Sequence, residues 1–203
     1  MVRRTKEDAL ATRDSIMDAA EQLFIERGVS GTSLQHIASA AGVTRGAIYW
    51  HFEDKGALFN AMMERATMPL EAAMQTLDAA AGKDPLGHLR SYALCVFDLT
   101  INDPKARRVF EIATLKLEYV GELSAIRERR LQHREFFLAS AERIVKEGIA
   151  HGRLKDTVKP KAAALGLFIL IEGLVRGWLI MPDFNLEQLG AEIVDTHLDS
   201  LRA

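Results

Sequence analysis

The chain has 203 residues, of which 48% are hydrophobic and 27% charged, with a formal net charge of −2. That balance suits a folded globular chain holding one large core or a small domain joined to a larger one, and it excludes a disordered or collagen-like polypeptide. A charge so near zero gives no global pull toward nucleic acid, so any nucleic-acid surface must be built locally.

The N-terminus, MVRRTKEDALATRDSI, is charged throughout and lacks the apolar core of a secretory signal, so export is not expected. Arg3, Arg4, Lys6 and Arg13 outweigh Glu7 and Asp8 and make a mildly basic arm. The first helix follows, with Ile16, Ala20, Leu23 and Phe24 at the spacing of one buried stripe. Gly28 followed by Val29 reads as its left-handed stop. Ser33 then caps a short second helix whose inward residues are Leu34, Ile37, Ala38 and Ala41.

Next comes VTRGAIYWHFEDKGALF, beginning at Val43. It crowds Ile48, Tyr49, Trp50, His51 and Phe52 into consecutive positions, more than one buried face absorbs. With TSLQHIASAAG before it, the stretch reads as two short helices joined by a tight turn at Ala41-Gly42-Val43, where Gly42 permits a positive φ. That is a helix-turn-helix. In its second helix Val43, Ala47, Ile48 and Phe52 face the core, which turns Thr44, Arg45, Gly46, Tyr49, Trp50 and His51 outward.

A DNA major groove, about 12 Å wide, admits one such helix. Arg45 has the chemistry to bond guanine O6 and N7 bidentately, and Gly46 lets the backbone come close. Tyr49 and His51 carry donors on semi-rigid rings suited to phosphate or thymine edges. Lys55 follows Asp54, the cap of the next helix, so its ammonium sits beside a helix N-terminus that itself attracts phosphate. Thr32 and Ser33 stand in the same relation to the second helix. Taken singly, each has an ordinary alternative: a solvated surface Arg or Tyr, a Trp50 packed into the core, a His51 that satisfies a buried carbonyl.

Further along, Asp84-Pro85, Asp103-Pro104 and Lys159-Pro160 mark helix starts, and Pro182 and Asn185 separate the last two helices. Pro69 falls inside a helical segment and predicts a kink. Gly121 and Gly152 bracket one long helix. No stretch sustains the alternation of a half-buried strand, so the fold class is all-α. The division expected is 1–54 for DNA binding and 55–203 for a larger helical domain.

The larger domain offers no catalytic constellation and no phosphate-binding glycine loop. Its histidines show no His-x-x-x-His pairing, and the lone Cys95 excludes an intrachain disulfide and a cysteine metal site. Neither an enzyme, a metal centre nor a cofactor is expected, and a single cysteine fits a reducing, cytoplasmic setting. The apolar run from Ala162 to Met181 reads as a buried helix rather than a membrane span, because Glu172 and Arg176 interrupt it. The two, four apart, can pair along the helix; alternatively Glu172 faces an internal cavity as a polar fixture for a ligand. A helix apolar all round needs neighbours on every side, as a four-helix interface between two chains supplies. Trp178, Leu179, Ile193, His197 and Leu201 are the interface residues expected, or else part of an intrachain core.

GVTRGAIYWHFEDKGALF, preceded by TSLQHIASAAG and RRTKEDALATRDSI, resembles the DNA-binding domain of the TetR family of transcriptional regulators over about residues 3 to 59. It is most similar to the AcrR and TtgR type, which represses multidrug efflux operons. The resemblance implies an omega-shaped all-helical homodimer of about nine helices per chain that reads an inverted repeat of double-stranded DNA and is released by a small, largely hydrophobic effector. Thr44, Arg45 and Gly46 match the base-facing start of the recognition helix, with Gln35 within reach of bases. Tyr49, Trp50, His51, Lys55 and Ser33 match residues that clamp the phosphate backbone. A weaker similarity in RRVFEIATLKLEY and EGLVRGWLIMPD makes Phe110, Thr114, Phe137, Phe168, Glu172 and Arg176 candidates for the effector site. Relatives often place a histidine where this chain has Leu115, which makes the site more apolar. A metabolic repressor of the same family, or a helical carrier protein that does not act on DNA, are the alternatives; retention of Arg45, Tyr49 and Lys55 on the surface separates them.

Overall fold

Helices make up all the regular structure among the described residues, which in this computed structural model are 6–79, 84–117 and 124–203. In chain order they are α1 (Lys6–Arg27), α2 (Leu34–Ala40), α3 (Arg45–His51), α4 (Lys55–Ala79), α5 (Pro85–Asn102), α6 (Pro104–Glu111), α7 (Ser124–Ala150), α8 (Pro160–Ile180) and α9 (Leu186–Ser200). A π-helical segment, Ile112–Lys116, continues α6. The all-α expectation holds, with no strand among the described residues. Arg3, Arg4 and Gly121 lie outside the described residues.

The helix boundaries follow from local chemistry. Three prolines open α5, α6 and α8, where a missing N–H costs nothing. Side chains of Ser33, Thr44, Asp84 and Asn185 accept from backbone amides of the first turns of α2, α3, α5 and α9. Asp54 does the same for α4, with Ala57 N at 2.6 Å from its Oδ1. Gly28 and Gly152, at φ of 74° and 66°, close α1 and α7 in the left-handed region open to glycine. Pro69 lies inside α4 and withholds the hydrogen bond due to the carbonyl four residues earlier.

The packing divides into two compact units. Unit 1 comprises Met1–Ala66 and Arg108–Arg129, and unit 2 comprises Thr67–Arg107 and Arg130–Ala203. Packing therefore carries unit 1 past the division expected after residue 54 and adds a segment from the middle of the chain. In unit 1, Ile16, Ala20, Phe24, Ile37, Ile48, Leu58, Phe59 and Met62 form a dry core. Phe24 and Phe59 meet there as tilted rings 6.3 Å apart.

In unit 2 the best-packed pair is α5 against α9, around Phe97, Val194 and Leu198. A Cβ at Gly190 would stand 3.1 Å from the Phe97 ring, so the glycine is there to let the two helices close. At the edge of this pair Arg90 donates from Nε and a terminal nitrogen to both oxygens of Asp195, at 2.6 and 3.0 Å.

Helix α8 is only partly covered by its own chain. Its sequence predicts a buried helix, yet only Ala163, Ala164, Leu167 and Ile171 are buried within the chain. Ile169 is 59% exposed and Ile180 58% exposed. Packing against α5 and α9 covers one side of the helix and leaves apolar surface exposed on the other. By length and mean hydropathy (1.8) α8 could cross a membrane, a test that helices of non-membrane proteins also pass.

Candidate DNA interface and effector region

The helix-turn-helix is held from both ends. Ser33 Oγ accepts from His36 N at 3.2 Å while His36 Nδ1 accepts from Ser33 N at 3.3 Å, a reciprocal cap in which histidine replaces the usual glutamate. Gly42 turns the chain at φ 67°, and Val43 N reaches back to Ala38 O at 3.0 Å. Thr44 Oγ1 then accepts from Ala47 N at 3.1 Å and starts α3. Ile48 is fully buried and Phe52, the C-cap, nearly so; together they pin α3 from below. The Arg13 guanidinium of α1 lies 5.2 Å from the Phe52 ring centroid and covers that end.

What remains outside is the expected face. Thr44, Arg45, Gly46, Tyr49 and Trp50 are exposed, Trp50 by 73%, and Gln35 and Ser33 are exposed beside them. His51 is half-buried, its ring against the Trp50 ring edge-on at 4.5 Å. Gly46 lies in the first turn with nothing in the chain within 4 Å of where a Cβ would sit, and its φ is not positive. Nothing inside the chain calls for glycine there, although a helical glycine costs about 1 kcal/mol against alanine.

Two residues differ from expectation. Thr32 is 1% exposed and its hydroxyl donates to Gly28 O at 2.8 Å, so it closes the α1–α2 loop instead of facing a phosphate. A hydroxyl satisfied by a carbonyl four residues back has no reason to point outward. Lys55 does sit at the start of α4, but its ammonium donates to Val29 O at 3.2 Å and thereby ties α4 to the end of the α1 loop.

Between α1, α4 and α6 of unit 1 lies a cluster that sequence reasoning missed. Glu21 of α1 is 3% exposed, and its Oε1 accepts from Arg108 Nε. Its Oε2, without a hydrogen bond, lies 3.7 Å from a terminal nitrogen of Arg65, which also pairs with Asp18 at 2.8 Å and Asp14 at 3.5 Å. A buried carboxylate is tolerable only with such partners. The signal was present: Glu21 falls four residues after Met17, inside the apolar stripe of α1.

Arg107, the preceding residue, is anchored in unit 2. It donates to Ile101 O and to Thr100 O, the latter at 2.9 Å, and so satisfies free carbonyls at the end of α5. Its guanidinium also lies 5.1 Å from the Trp178 ring centroid.

The effector candidates fall in both units. Phe110 and Thr114 are half-buried residues of unit 1. In unit 2 Phe137 is fully buried and its ring meets Phe168 at 5.7 Å. Glu172 is exposed; its carboxylate accepts from Arg130 of α7 at 3.1 Å, so the partner is a neighbouring helix rather than Arg176, and the expected internal cavity carboxylate is not what the chain presents. Glu172 sits on the face of α8 away from its buried stripe, which is why it emerges at the surface. Sequence reasoning also missed Tyr92, buried on α5, whose hydroxyl lies 3.0 Å from His133 Nε2 and whose ring is 4.9 Å from Phe137. Burial, and secondarily the Glu172 charge, push the Tyr92 phenol above its ordinary range, so it stays a neutral hydrogen-bonding group.

Of the expected interface residues, Trp178, Leu179, Ile193 and His197 are half-buried, and His197 packs its ring over Gly166 of α8. Leu201 is buried within the chain, where its carbonyl accepts from Lys155 N, so it is intrachain core.

A capped helix-turn-helix whose second helix exposes Arg, Tyr and Trp, joined to a larger helical unit with no metal-binding group of side chains among the described residues, defines a DNA-binding regulator with a helical accessory domain. Residues 16–62 match the profile of bacterial regulatory proteins of the tetR family, and residues 84–203 match the C-terminal region of MAATS-type transcriptional repressors. The chain belongs to the TetR family. It is 38% identical over 209 aligned residues to the HTH-type transcriptional regulator TtgR of Pseudomonas putida, covering 100% of this chain and 97% of that one. It is 37% identical to the regulator AcrR of Shigella flexneri, covering 96% and 91%. The crystal structure of NalD, the secondary repressor of the MexAB-OprM multidrug efflux pump in Pseudomonas aeruginosa, superposes with a TM-score of 0.87 at 36% identity, covering 97% and 98%. These relatives are transcriptional regulators, and the chain is of the efflux-repressor type.

Proposed function

We propose that this chain acts in the cytoplasm as a homodimer that binds a two-fold symmetric operator, represses a multidrug efflux operon, and is released by a small, largely hydrophobic effector. The observation that carries the reading is the outward face of α3. Arg45 reads a base edge, Thr44 and Gly46 bring the backbone close, Gln35 reaches from α2, and Ser33, Tyr49, Trp50, His51 and Lys55 hold the phosphate backbone. Lys55 leaves the Val29 carbonyl, or shares its protons with it, on contact with phosphate.

The second chain covers α8 and α9. Gly173 and Gly177 are exposed helical glycines with nothing of their own chain within 4 Å of a would-be Cβ, next to exposed Ile169 and Ile180. Such a surface suits close approach of a partner helix. The effector belongs with the Phe137–Phe168 pair, where Tyr92 and His133 supply hydrogen bonding. A solved relative, SmeT, is a triclosan complex, which makes triclosan a reasonable first probe. Release requires only that the effector favour the non-binding state, by about 1.4 kcal/mol for each tenfold loss of operator affinity.

The test is selection of DNA from a random library by the full chain. Enriched sequences should hold two half-sites related by a dyad, with centres about one helical turn or a multiple apart, roughly 34–36 Å. No enrichment, with the protein folded and dimeric, would sink the operator-binding reading.

A further inference from the structure

The face of α3 contains one contact that phosphate clamping does not account for. The Arg45 guanidinium carbon lies 5.6 Å from the centroid of the Tyr49 ring. The two are four residues apart on one helix, and a helical side chain leans toward the preceding turn, so the ring of Tyr49 is delivered beneath Arg45 by the backbone itself. That separation is within the range of cation–aromatic attraction. Among the described residues Arg45 has no carboxylate partner and the Tyr49 hydroxyl no hydrogen bond. The neighbours offer no substitute: the Thr44 hydroxyl is engaged by Ala47 N, Gly46 has no side chain, and Trp50 turns its edge to His51.

We propose that Tyr49 is a specificity-determining positioning residue, whose ring holds the Arg45 guanidinium in the plane it presents to a base, so that the two side chains read DNA as one unit. The inference rests on the DNA-reading function proposed above. An arginine with no partner spreads over many rotamers, and ordering it opposes binding to every base, the correct one included. A stacked guanidinium keeps its donors at the edge, where a bidentate bond to guanine requires them, while its face is occupied. The phenolic hydroxyl, at the far end of a residue that is 47% exposed, stays available for phosphate. Ring and hydroxyl therefore have separable jobs.

The experiment compares wild type, Tyr49→Phe, Tyr49→Leu, Arg45→Ala and the Tyr49→Leu/Arg45→Ala double variant on the selected operator and on single-base variants of it, by fluorescence anisotropy at fixed salt. Leucine keeps helix propensity at an exposed site, and circular dichroism checks that each variant folds. Tyr49→Phe should keep the wild-type ratio of affinities for correct and wrong bases while binding all sequences somewhat more weakly. Tyr49→Leu should lose about three- to tenfold of that ratio at the base pair that Arg45→Ala also affects, and nowhere else, and should add nothing in the double variant. An unchanged ratio in Tyr49→Leu, with uniformly weaker binding, would overturn the inference and leave Tyr49 a backbone clamp. Equal loss in Tyr49→Phe and Tyr49→Leu would overturn it too, by making the hydroxyl the reader. If wild type itself discriminated no bases, the operator-reading function would fall and this inference with it.

Discussion

Helices α3 and α8 both leave more apolar surface outside than a lone chain explains, and both carry glycines that nothing in the chain requires. They differ in what surrounds those glycines. Beside Gly46 stand Thr44, Arg45 and Tyr49, flat or polar groups with directional donors. Beside Gly173 and Gly177 stand the aliphatic Ile169, Ile180 and Leu174, with Glu172 and Arg176 next to them, the former already engaged by Arg130. A face with donors suits a polyanion with patterned edges, and an aliphatic face suits another helix. Single exposed hydrophobic residues are ordinary; where they gather on one face, the polarity of their neighbours says which kind of partner that face suits.

The largest effect should come from removing the buried carboxylate that ties α1 to α4 and α6 within unit 1. Glu21→Ala leaves Arg108 and Arg65 without their buried carboxylate, and we expect a loss of about 2–3 kcal/mol, less than for a wholly buried pair because both arginines reach solvent. Chemical denaturation would measure it; an unchanged midpoint would mean that the cluster is ornamental. On α8, Gly177→Leu should weaken self-association at least tenfold, about 1.4 kcal/mol, as read by sedimentation equilibrium. A dimer of unchanged strength would place the interface elsewhere.

Gly46→Ala sharpens the comparison most, because it separates stability from function. The alanine should raise the stability of the fold by up to about 1 kcal/mol while weakening operator binding. Tighter binding and higher stability together would mean that no surface approaches Gly46. The smallest effect concerns pH. The hydrogen bond from Arg90 holds the Asp195 carboxyl below the usual carboxylate range. A depressed carboxyl contributes stability that is present above its unfolded value of about 3.9 and is lost as pH falls through the folded value. Asp195→Asn should therefore flatten the acid limb of a stability profile and leave neutral pH nearly unchanged, since the pair is exposed.

Much of this was legible in residue order because it depends on neighbours in the chain. Proline and asparagine starts, the Gly28, Gly42 and Gly152 turns, the Ser33 cap and the inward placement of Ile48 and Phe52 are local chemistry, and all stand as expected. What sequence could not give are partners far along the chain. Arg108 meets Glu21 across 87 positions, and Glu172 meets Arg130 across 42, where the i, i+4 rule pointed to Arg176. Thr32 failed for a related reason: cap and loop-closing threonines have the same local pattern, and only the carbonyl of Gly28 distinguishes them. The apolarity of α8 reports the need for cover but not which chain provides it, so residue order left a two-chain interface and an intrachain core both open.

We propose that the α3 face reads DNA and that an effector releases it. The most direct measurement is fluorescence anisotropy of the full chain on DNA from around its own gene, at moderate salt, with Arg45→Ala as control and triclosan and other hydrophobic antimicrobials added. We expect tight, salt-sensitive binding, a loss of about 1–3 kcal/mol of base discrimination in Arg45→Ala, and release by at least one compound. Binding that is equally strong for Arg45→Ala, blind to sequence and indifferent to every effector would contradict it.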